Sequence, residues 1–292
     1  MTRMLLATFD LMPGGEPEGH LLLEALQHRS IEASWAVWSD PSVDWAGADL
    51  VAVRSTWDYY RRPAAFLAWA REVEQRTRLL NGAEVMAWNA DKAYLAQLPD
   101  LDVAAVPTLV VEDDALPAGL QQALERWGPS VVKPRTGAGG VGVVVAEQLH
   151  DPRLQELTAG PWVVQPLVAS VRTTGESSVY VIGGEVAGQA AKQVGEAEAA
   201  AGEVRVHPLY GGRTGVVEID PVRAGLAVQA VDAVARRFDT GVDYARVDLV
   251  HHDGAWVVSE LELIEPSLYL DVMPTNAERF ADVVAARLGE RD

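Results

Sequence analysis

Apolar positions in the first third of the chain alternate between strand-like runs and helical spacing. Strands are predicted at residues 4–9, 31–38 and 49–54, with helices at 21–26 and from Pro63, where proline suits a first helical turn. Because strand–helix–strand units with short connections form parallel sheets, this pattern indicates an N-terminal parallel α/β domain.

The pattern changes after Pro107, where short strands surround one helix and later strands follow each other directly. Between the first domain and Pro107, Asn89 is predicted to cap a helix that bears Tyr94, Leu95 and Leu98. The later predicted elements are strands at 108–111, 131–133, 143–146, 162–168, 177–182 and 185–193, helices at 120–127, 221–238 and 276–288, a loop at 195–203, and a strand pair around Asp253-Gly254. This mixture indicates an α+β region behind the first domain.

Composition excludes several classes of protein. The chain has 292 residues, no cysteine and a formal charge of −18, from 24 Lys+Arg against 42 Asp+Glu. The lack of cysteine excludes disulfide scaffolds, thiolate metal sites and thiol nucleophiles. The negative charge argues against nucleic-acid and membrane partners, and since no long apolar run occurs, a cytoplasmic protein is expected. Only three cations are lysines, at Lys92, Lys133 and Lys192.

Residues 137–142 have the spacing G-x-G-x-x-G, which several phosphate-binding folds share. A dinucleotide fingerprint needs a helix directly after the loop, whereas residues 143–145 are all valine and predict a strand. The sequence contains no Gly-Lys-Ser/Thr for a Walker A loop, and no H-R-D or D-F-G for a protein kinase. Two interpretations stay open: a hairpin whose bare N–H groups hold a polyphosphate, with Lys133 just before it, or a flexible surface hairpin.

Residues 246–263 predict a β-hairpin with carboxylates on one face. A two-residue Asp253-Gly254 turn would mix carboxylates with apolar side chains on each face, so we predict a three-residue loop that begins at His252. The residues facing the core would be Val247, Leu249, Val257, Leu261 and Leu263. The residues on the opposite face would be Arg246, Asp248, Glu260 and Glu262. These carboxylates suit a hard cation such as Mg2+, and an exposed acidic sheet face is the alternative.

The order of these features resembles the ATP-grasp superfamily over residues 89–276. The features are a lysine on a helix, a lysine before a glycine hairpin, a hinge strand, and R-x-D followed by E-x-E on a hairpin. The resemblance implies an ATP-grasp fold behind an N-terminal parallel α/β domain, with domains at 1–88, 89–165 and 166–292. It also implies an enzyme that forms ADP from ATP with Mg2+, or with Mn2+ in its place.

The resemblance assigns roles to the residues at matching positions. Nucleotide contacts are implied for Lys92, Lys133, Thr136, Gly137, Gly139, Gly140, Gly142, Gln165, Leu167, Val168 and Glu176. The lysines would hold phosphates, the stretch from Gln165 to Val168 would contact adenine, and Glu176 would bind ribose. Metal ligands are implied at Asp248, Glu260 and Glu262, the last replacing the family's usual Asn. Catalytic residues, by similarity to ribosomal-protein glutamate ligases, are Lys192, Arg205 and Arg246.

Three further motifs, at residues 54–59, 88–92 and 260–268, are similar to the subgroup that includes the O-ureido-D-serine cyclo-ligase. Substrate contacts are then implied for Arg54, Ser55, Thr56, Trp57 and Asp58, since open α/β sheets bind ligands at the carboxyl ends of strands. A capped turn with a packed Trp is the alternative for this segment. The implied partner is a small amino-acid-like substrate that is cyclised. Alternatives are an intermolecular carboxylate–amine ligase and a catalytically silent nucleotide-binding protein, and a homodimer is left open.

Overall fold

The computed structural model describes residues 2–157 and 160–290, without the side chain of Glu156. Its N-terminal region is a parallel sheet with helices. Its elements are β1 (Thr2–Thr8), α1 (His20–His28), β2 (Ile31–Val37), β3 (Leu50–Ser55), α2 (Pro63–Glu74), β4 (Arg78–Leu79) and α3 (Ala83–Asn89). The strand order is β2-β1-β3-β4, and every pairing is parallel. The predicted α/β architecture is therefore confirmed.

The second sheet is antiparallel and carries the glycine loop. Its elements are β5 (Leu109–Val111), α4 (Leu116–Trp127), β6 (Ser130–Pro134), β7 (Val144–Ala146) and β8 (Trp162–Pro166). The strand order is β5-β8-β6-β7, so the glycine loop connects two neighbouring strands, as the valine run after the loop predicts.

The third sheet is antiparallel and holds the acidic hairpin. Its elements are β9 (Glu176–Ile182), β10 (Glu185–Gln193), α5 (Glu196–Ala200), β11 (Arg213–Val217), α6 (Pro221–Phe238), β12 (Tyr244–His252), β13 (Ala255–Glu262) and α7 (Thr275–Gly289). The strand order is β11-β10-β9-β12-β13. The short helix α5 lies inside the predicted loop, and the edge strand β11 was not predicted because its mostly exposed residues give no alternation. In the described part of the chain, no helix has the length and apolar character needed to cross a membrane.

The first and third sheets share one hydrophobic core. Met4 of β1 packs in the same fully buried cluster as Tyr180 of β9, Tyr244 of β12 and Phe280 of α7. Leu268, between β13 and α7, belongs to this cluster too. The core therefore fixes the N-terminal sheet against the third sheet and the segment that follows β13. The domain boundaries given above stay predictions.

The structure corrects the prediction that a helix begins at Asn89. Asn89 ends α3, and a separate 3-10 helix over Lys92–Ala96 is capped by Asp91, whose carboxylate accepts a hydrogen bond from the N–H of Ala93. The Asn89 amide instead donates to the carbonyl of Leu261 at 2.9 Å. A buried amide can satisfy backbone groups of a distant strand as well as those of its own helix.

Asn81 links the N-terminal sheet to the third sheet, and we expect Asn81→Ala to lower the free energy of unfolding by about 2 kcal/mol. Its amide donates to the carbonyls of Tyr244 and Leu263 at 2.8 and 2.7 Å and accepts from the N–H of Asp243 at 2.7 Å. Alanine leaves these buried groups unpaired, and the backbone here is left-handed, with φ of 63°.

Urea unfolding measures this cost, and Asn81→Gly is the matched control. Glycine loses the same hydrogen bonds but adopts the left-handed backbone freely, so it should be more stable than the alanine variant by about 1 kcal/mol. An Asn81→Ala protein as stable as the parent would show that these hydrogen bonds do not hold the two sheets together.

Candidate active site

The β12–β13 hairpin turns in two residues and not in the predicted three. Asp253 and Gly254 both have left-handed backbones, with φ of 48° and 85°, as a two-residue type I′ turn requires. The pairing then shifts by one residue after Asp248, where β13 contains a bulge. As a further correction, Val258 joins the main core of the third sheet, and Val257 packs in a separate small cluster.

The bulge brings the charged residues of the hairpin onto one face, as predicted. Asp248 lies opposite Glu260, and Arg246 lies opposite Glu262. One oxygen from each carboxylate lies within 4.8 Å of the others. Three hard oxygen donors this close suit Mg2+, which takes a few carboxylates and completes its shell with phosphate oxygens or water. We call Asp248, Glu260 and Glu262 the carboxylate cluster.

Two buried cations surround Asp248. Lys192 lies 3.0 Å from this carboxylate and 3.0 Å from Glu176, and Arg246 lies 2.9 Å from Asp248 and also pairs with Glu262. Burial raises the pKa of Asp248, but Arg246 and Lys192 lower it by more, so this carboxyl stays ionised. Burial raises the pKa of Glu262 to about 7, with Arg246 opposing and Asp248 adding to the rise. A second cation near Glu262 would therefore lower the cost of its charge.

Lys92 joins the glycine loop to the carboxylate cluster. Its ammonium lies 2.8 Å from Glu260 and donates to the carbonyl of Gly137 at 2.9 Å. Lys133 projects from β6 just before Thr136 and the loop, and its ammonium has no ion pair or hydrogen bond with another described residue. Burial lowers the pKa of Lys133, and the charge of Glu260 partly offsets this. Both lysines therefore lie beside the glycine loop, and their contacts with phosphates stay predictions.

The glycine loop contacts the segment that follows α5. Gly139, Gly140 and Gly142 have left-handed backbones, with φ of 62°, 72° and 73°. A Cβ on Gly140 would lie 3.0 Å from the Cδ of Arg205 and 3.3 Å from the Cε2 of Tyr210. The Arg205 guanidinium lies 3.5 Å from the centre of the Tyr210 ring. The two segments thus meet at Gly140, where the absence of a side chain leaves room for Arg205 and Tyr210.

Arg205, predicted to be catalytic, pairs with Glu203 at 2.5 Å. This hydrogen bond is the main reason that the pKa of Glu203 falls to about 2. Arg205 makes no contact with the carboxylate cluster among the described hydrogen bonds and ion pairs. It lies beside Gly140 of the glycine loop, while Lys192 and Arg246 contact Asp248.

The predicted adenine-contact residues lie at and after the end of β8. The Gln165 side chain is buried, and its amide donates to the hydroxyl of Thr108 at 2.9 Å. This hydrogen bond accounts for the orientation of the side chain. The N–H of Leu167 donates to the carbonyl of Pro129 at 2.9 Å, and Val168 packs on a small apolar cluster. Their contacts with a nucleotide stay predictions.

The structure places Arg54 and Ser55 in the interior of the protein. The Arg54 side chain is 0% exposed, and it donates to Glu16 at 2.8 Å and to the carbonyl of Pro266 at 2.8 Å. Ser55 is also buried and donates to the hydroxyl of Thr8 at 2.8 Å. Both side chains connect elements of the fold, and Nη1 of Arg54 is buried without a hydrogen-bond partner among the described residues. Their contacts with substrate stay predictions.

The rest of this segment approaches the end of β13. Thr56 is fully buried, and its hydroxyl has no hydrogen-bond partner among the described residues. Asp58 is buried and accepts a hydrogen bond from the indole of Trp38 at 2.8 Å, as a structural residue would. Trp57 is half-buried and donates to the carbonyl of Glu265 at 3.4 Å. Of the five predicted substrate contacts, Trp57 is the one that is not fully buried, and the role of this segment stays a prediction.

Two residues near the carboxylate cluster were missed. The Tyr269 ring lies 5.9 Å from the ammonium of Lys192 and 5.7 Å from the guanidinium of Arg246, and its backbone is left-handed, with φ of 48°. A non-glycine residue in this conformation often marks a functional site. Glu265 lies in the motif at residues 260–268, but no spacing pattern in the sequence marks it as a site residue.

We expect Gly140→Ala to reduce kcat/KM for ATP about tenfold, because the added methyl group must displace Arg205 or Tyr210. Gly139→Ala is the matched control: it meets the same left-handed strain, but nothing lies within 4 Å of its Cβ. Steady-state kinetics should show a clearly smaller loss for Gly139→Ala. Equal losses in the two variants would show that backbone strain, and not the contact between the two segments, is responsible.

Comparison with known proteins identifies the family. Residues 4–81 match the family described as "D-cycloserine synthetase DcsG, N-terminal domain", and residues 101–268 match the "RimK-like ATP-grasp domain". The chain is 34% identical over 278 residues to the "Cycloserine biosynthesis protein DcsG" of Streptomyces lavendulae, covering 91% of this chain and 92% of that protein.

Solved structures show the same architecture. The crystal structure of D-cycloserine synthetase DcsG superposes with a TM-score of 0.83 at 30% identity, covering 98% of this chain and 99% of that one. A RimK domain ATP-grasp protein from Sphaerobacter thermophilus shares the fold, with a TM-score of 0.70 at 19% identity over 97% and 99% of the two chains. The resemblance inferred from the motifs is therefore confirmed, and the chain belongs to the ATP-grasp family, with a RimK-like ATP-grasp domain behind an N-terminal domain of the D-cycloserine synthetase type.

Proposed function

We propose that this chain is an ADP-forming, Mg2+-dependent ligase that activates the carboxylate of a small amino-acid-like acceptor. The observation that carries the proposal is the meeting of three carboxylates with Lys92, Lys192 and Arg246 beneath a glycine loop. Phosphoryl transfer needs positioning and charge stabilisation more than covalent protein chemistry, and this arrangement supplies both.

The basic residues divide into two groups. Lys92 and Lys133 lie on the glycine-loop side of the cleft and are suited to the oxygens of the transferred phosphate and its neighbour. Lys192 and Arg246 lie on the opposite side, around Asp248, and are suited to negative charge on the acceptor. Mg2+, held by the carboxylate cluster, would neutralise phosphate charge as the bond to the leaving group breaks.

The acceptor carboxylate then attacks the terminal phosphorus of ATP, and ADP leaves. The product of this step is an acyl phosphate, and a nitrogen nucleophile displaces the phosphate. Water would hydrolyse the acyl phosphate, so the contact between Gly140 and the Arg205–Tyr210 pair supports a role in excluding water from the cleft.

For the acceptor, we propose O-ureido-D-serine, whose oxygen-bound nitrogen displaces the phosphate and closes the ring. The carbamoyl group on that nitrogen must leave by hydrolysis, as carbon dioxide and ammonia, to give D-cycloserine. Support comes from the relationship to the cycloserine biosynthesis protein over most of both chains and from the N-terminal domain match. With this acceptor one substrate suffices, whereas a ligase that joins two molecules needs a separate amine.

An ADP-release screen with mass spectrometry of the products tests this proposal. The panel contains D- and L-amino acids, ureido derivatives and dipeptides, each alone and in pairs. We expect ADP and a cyclic product with O-ureido-D-serine alone. ADP only when two acceptors are paired would indicate an intermolecular ligase, and no ADP across the panel would indicate a silent nucleotide-binding protein.

A further inference from the structure

In the described part of the chain, β13 is the last strand of the third sheet, so one edge of its backbone has no neighbouring strand of that sheet. Buried backbone groups on such an edge need other hydrogen-bond partners. At Val258 these partners are backbone groups: its N–H donates to the carbonyl of Ala104 at 2.9 Å, and its carbonyl accepts from the N–H of Val106 at 2.9 Å. This part of the edge is therefore paired by backbone, as in an ordinary sheet.

Further along the same edge, side chains replace backbone as the partners. The Tyr94 hydroxyl donates to the carbonyl of Leu261 at 3.0 Å and accepts from its N–H at 2.7 Å. The Asn89 amide donates to the same carbonyl at 2.9 Å and accepts from the N–H of Leu263 at 3.0 Å. Both side chains are buried, so water does not compete for these groups. Two side chains thus hold the short stretch of backbone that contains Glu262.

Glu260 and Glu262 occupy the positions of β13 where pairing with β12 is least complete. Ser259 is the extra residue of the bulge, and Glu260 directly follows it. Glu262 is the last residue of the strand. Because a bulge interrupts the hydrogen-bond ladder and the strand ends two residues later, the ladder with β12 gives this stretch limited support.

The backbone of Leu261 sets the spacing between these two carboxylates. Side chains alternate along a strand, so Leu261 packs in the core while Glu260 and Glu262 share the opposite face. Lys92 lies between Asn89 and Tyr94 in the chain, and its ammonium lies 2.8 Å from Glu260. The segment from Asn89 to Tyr94 therefore contacts both the backbone and a carboxylate of the metal-binding hairpin.

We propose that Asn89 and Tyr94 are positioning residues for the metal site, which hold Glu260 and Glu262 at the spacing that Mg2+ requires by binding the backbone of Leu261 and Leu263. Groups that hold metal ligands in place contribute to metal affinity without touching the metal. This inference rests on the proposed function, because it takes the carboxylate cluster as the metal site. It also gives the motif at residues 88–92 a second role beside that of Lys92.

The test is Tyr94→Phe, which removes the hydroxyl and keeps the ring. Calorimetric titration measures the affinity for a non-hydrolysable ATP analogue twice, once with Mg2+ and once with EDTA in its place. The ratio of the two affinities is the gain that the metal provides. We expect this gain to fall about tenfold in the variant, because the backbone between the two glutamates loses a support. The affinity in EDTA should equal that of the parent.

Tyr244→Phe is the matched control. The Tyr244 hydroxyl is also buried and donates to a backbone carbonyl, that of Val53, at 2.7 Å, but it forms no hydrogen bond with Leu261 or Leu263 among the described residues. Both variants should have a lower urea midpoint than the parent, since each loses a buried hydrogen bond. Only Tyr94→Phe should lose the gain from Mg2+, which a merely structural role would not predict.

Asn89→Ala removes the second support, and its gain from Mg2+ should fall in the same way. An unchanged gain in Tyr94→Phe, an equal fall of the gain in Tyr244→Phe, or a matching loss of affinity in EDTA would overturn the proposal. If Mg2+ strengthens binding to the parent and to Tyr94→Phe alike, the metal site stands and only the positioning role fails. If Mg2+ does not strengthen binding to the parent, the proposed function fails, and this inference fails with it.

Discussion

Asp248→Asn is expected to reduce the rate of ADP formation about a thousandfold while the protein stays folded. Asp248 is the carboxylate on which the site converges: it belongs to the cluster suited to Mg2+ and contacts both Lys192 and Arg246. Asparagine keeps the shape of the side chain but removes its charge and weakens metal binding. Coupled-enzyme detection of ADP measures the rate, and circular dichroism checks the fold.

The matched control for this variant lies on the same hairpin. Asp253, in the turn, has a side chain that is 90% exposed, and asparagine tolerates the left-handed backbone found there. Asp253→Asn should therefore keep the activity of the parent. Lys192 and Arg246 retain Glu176 and Glu262 as partners in Asp248→Asn, so its stability should fall by only about 2 kcal/mol. Normal ATP consumption by Asp248→Asn would remove this residue from the metal site.

Lys133→Ala is expected to weaken binding of ATP about 50-fold with little change in stability. Lys133 is half-buried at the base of the glycine loop, and its ammonium lacks a partner among the described residues, so removing it breaks no described ion pair. A phosphate oxygen would lose a charged hydrogen bond. Calorimetric titration with Mg2+ and a non-hydrolysable ATP analogue gives the affinity, and urea unfolding gives the stability.

The control for Lys133 is Lys133→Arg, which keeps the charge but replaces a compact ammonium by a wide planar guanidinium. We expect it to recover part of the affinity, because charge is retained and fit is not. If Lys133→Ala binds the nucleotide as tightly as the parent, Lys133 does not contact the phosphates, and the glycine loop must be supported by Lys92 alone.

The sequence predicts the carboxylate cluster correctly, though for a reason that is partly wrong. Alternation of apolar and charged residues requires Arg246, Asp248, Glu260 and Glu262 to share a face, and they do. A three-residue loop and a one-residue bulge within β13 both bring the same residues of the two strands onto one face. The alternation of apolar and charged residues therefore cannot distinguish the loop from the bulge. The structure has the bulge, and the Asp-Gly turn keeps its usual two-residue form.

Long-range partners account for contacts that local patterns do not predict. Asn89 is of a residue type that often caps helices, but its side-chain amide forms hydrogen bonds with Leu261 and Leu263, far along the chain. Arg54 is a charged residue at the carboxyl end of a strand, yet Glu16 and Pro266 enclose it. Local patterns predict elements and their faces, whereas these contacts depend on how the N-terminal and third sheets pack.

Lysine is rare in this chain, and the positions of the three lysines are informative. The chain has 24 Lys+Arg, and all three lysines lie at the cleft. Lys92 pairs with Glu260, Lys192 pairs with Asp248, and the charge of Glu260 acts on Lys133. A compact ammonium with three donors suits a crowded site better than the wide planar guanidinium of arginine.

The most direct test of the central claim is ADP formation with O-ureido-D-serine as the only acceptor, together with mass spectrometry of the product. We expect ADP and D-cycloserine in equal amounts, no ADP without acceptor, and loss of both products when EDTA removes Mg2+. ADP formation that needs no acceptor, or that needs a second amine before any product forms, would contradict a single-substrate cyclising ligase.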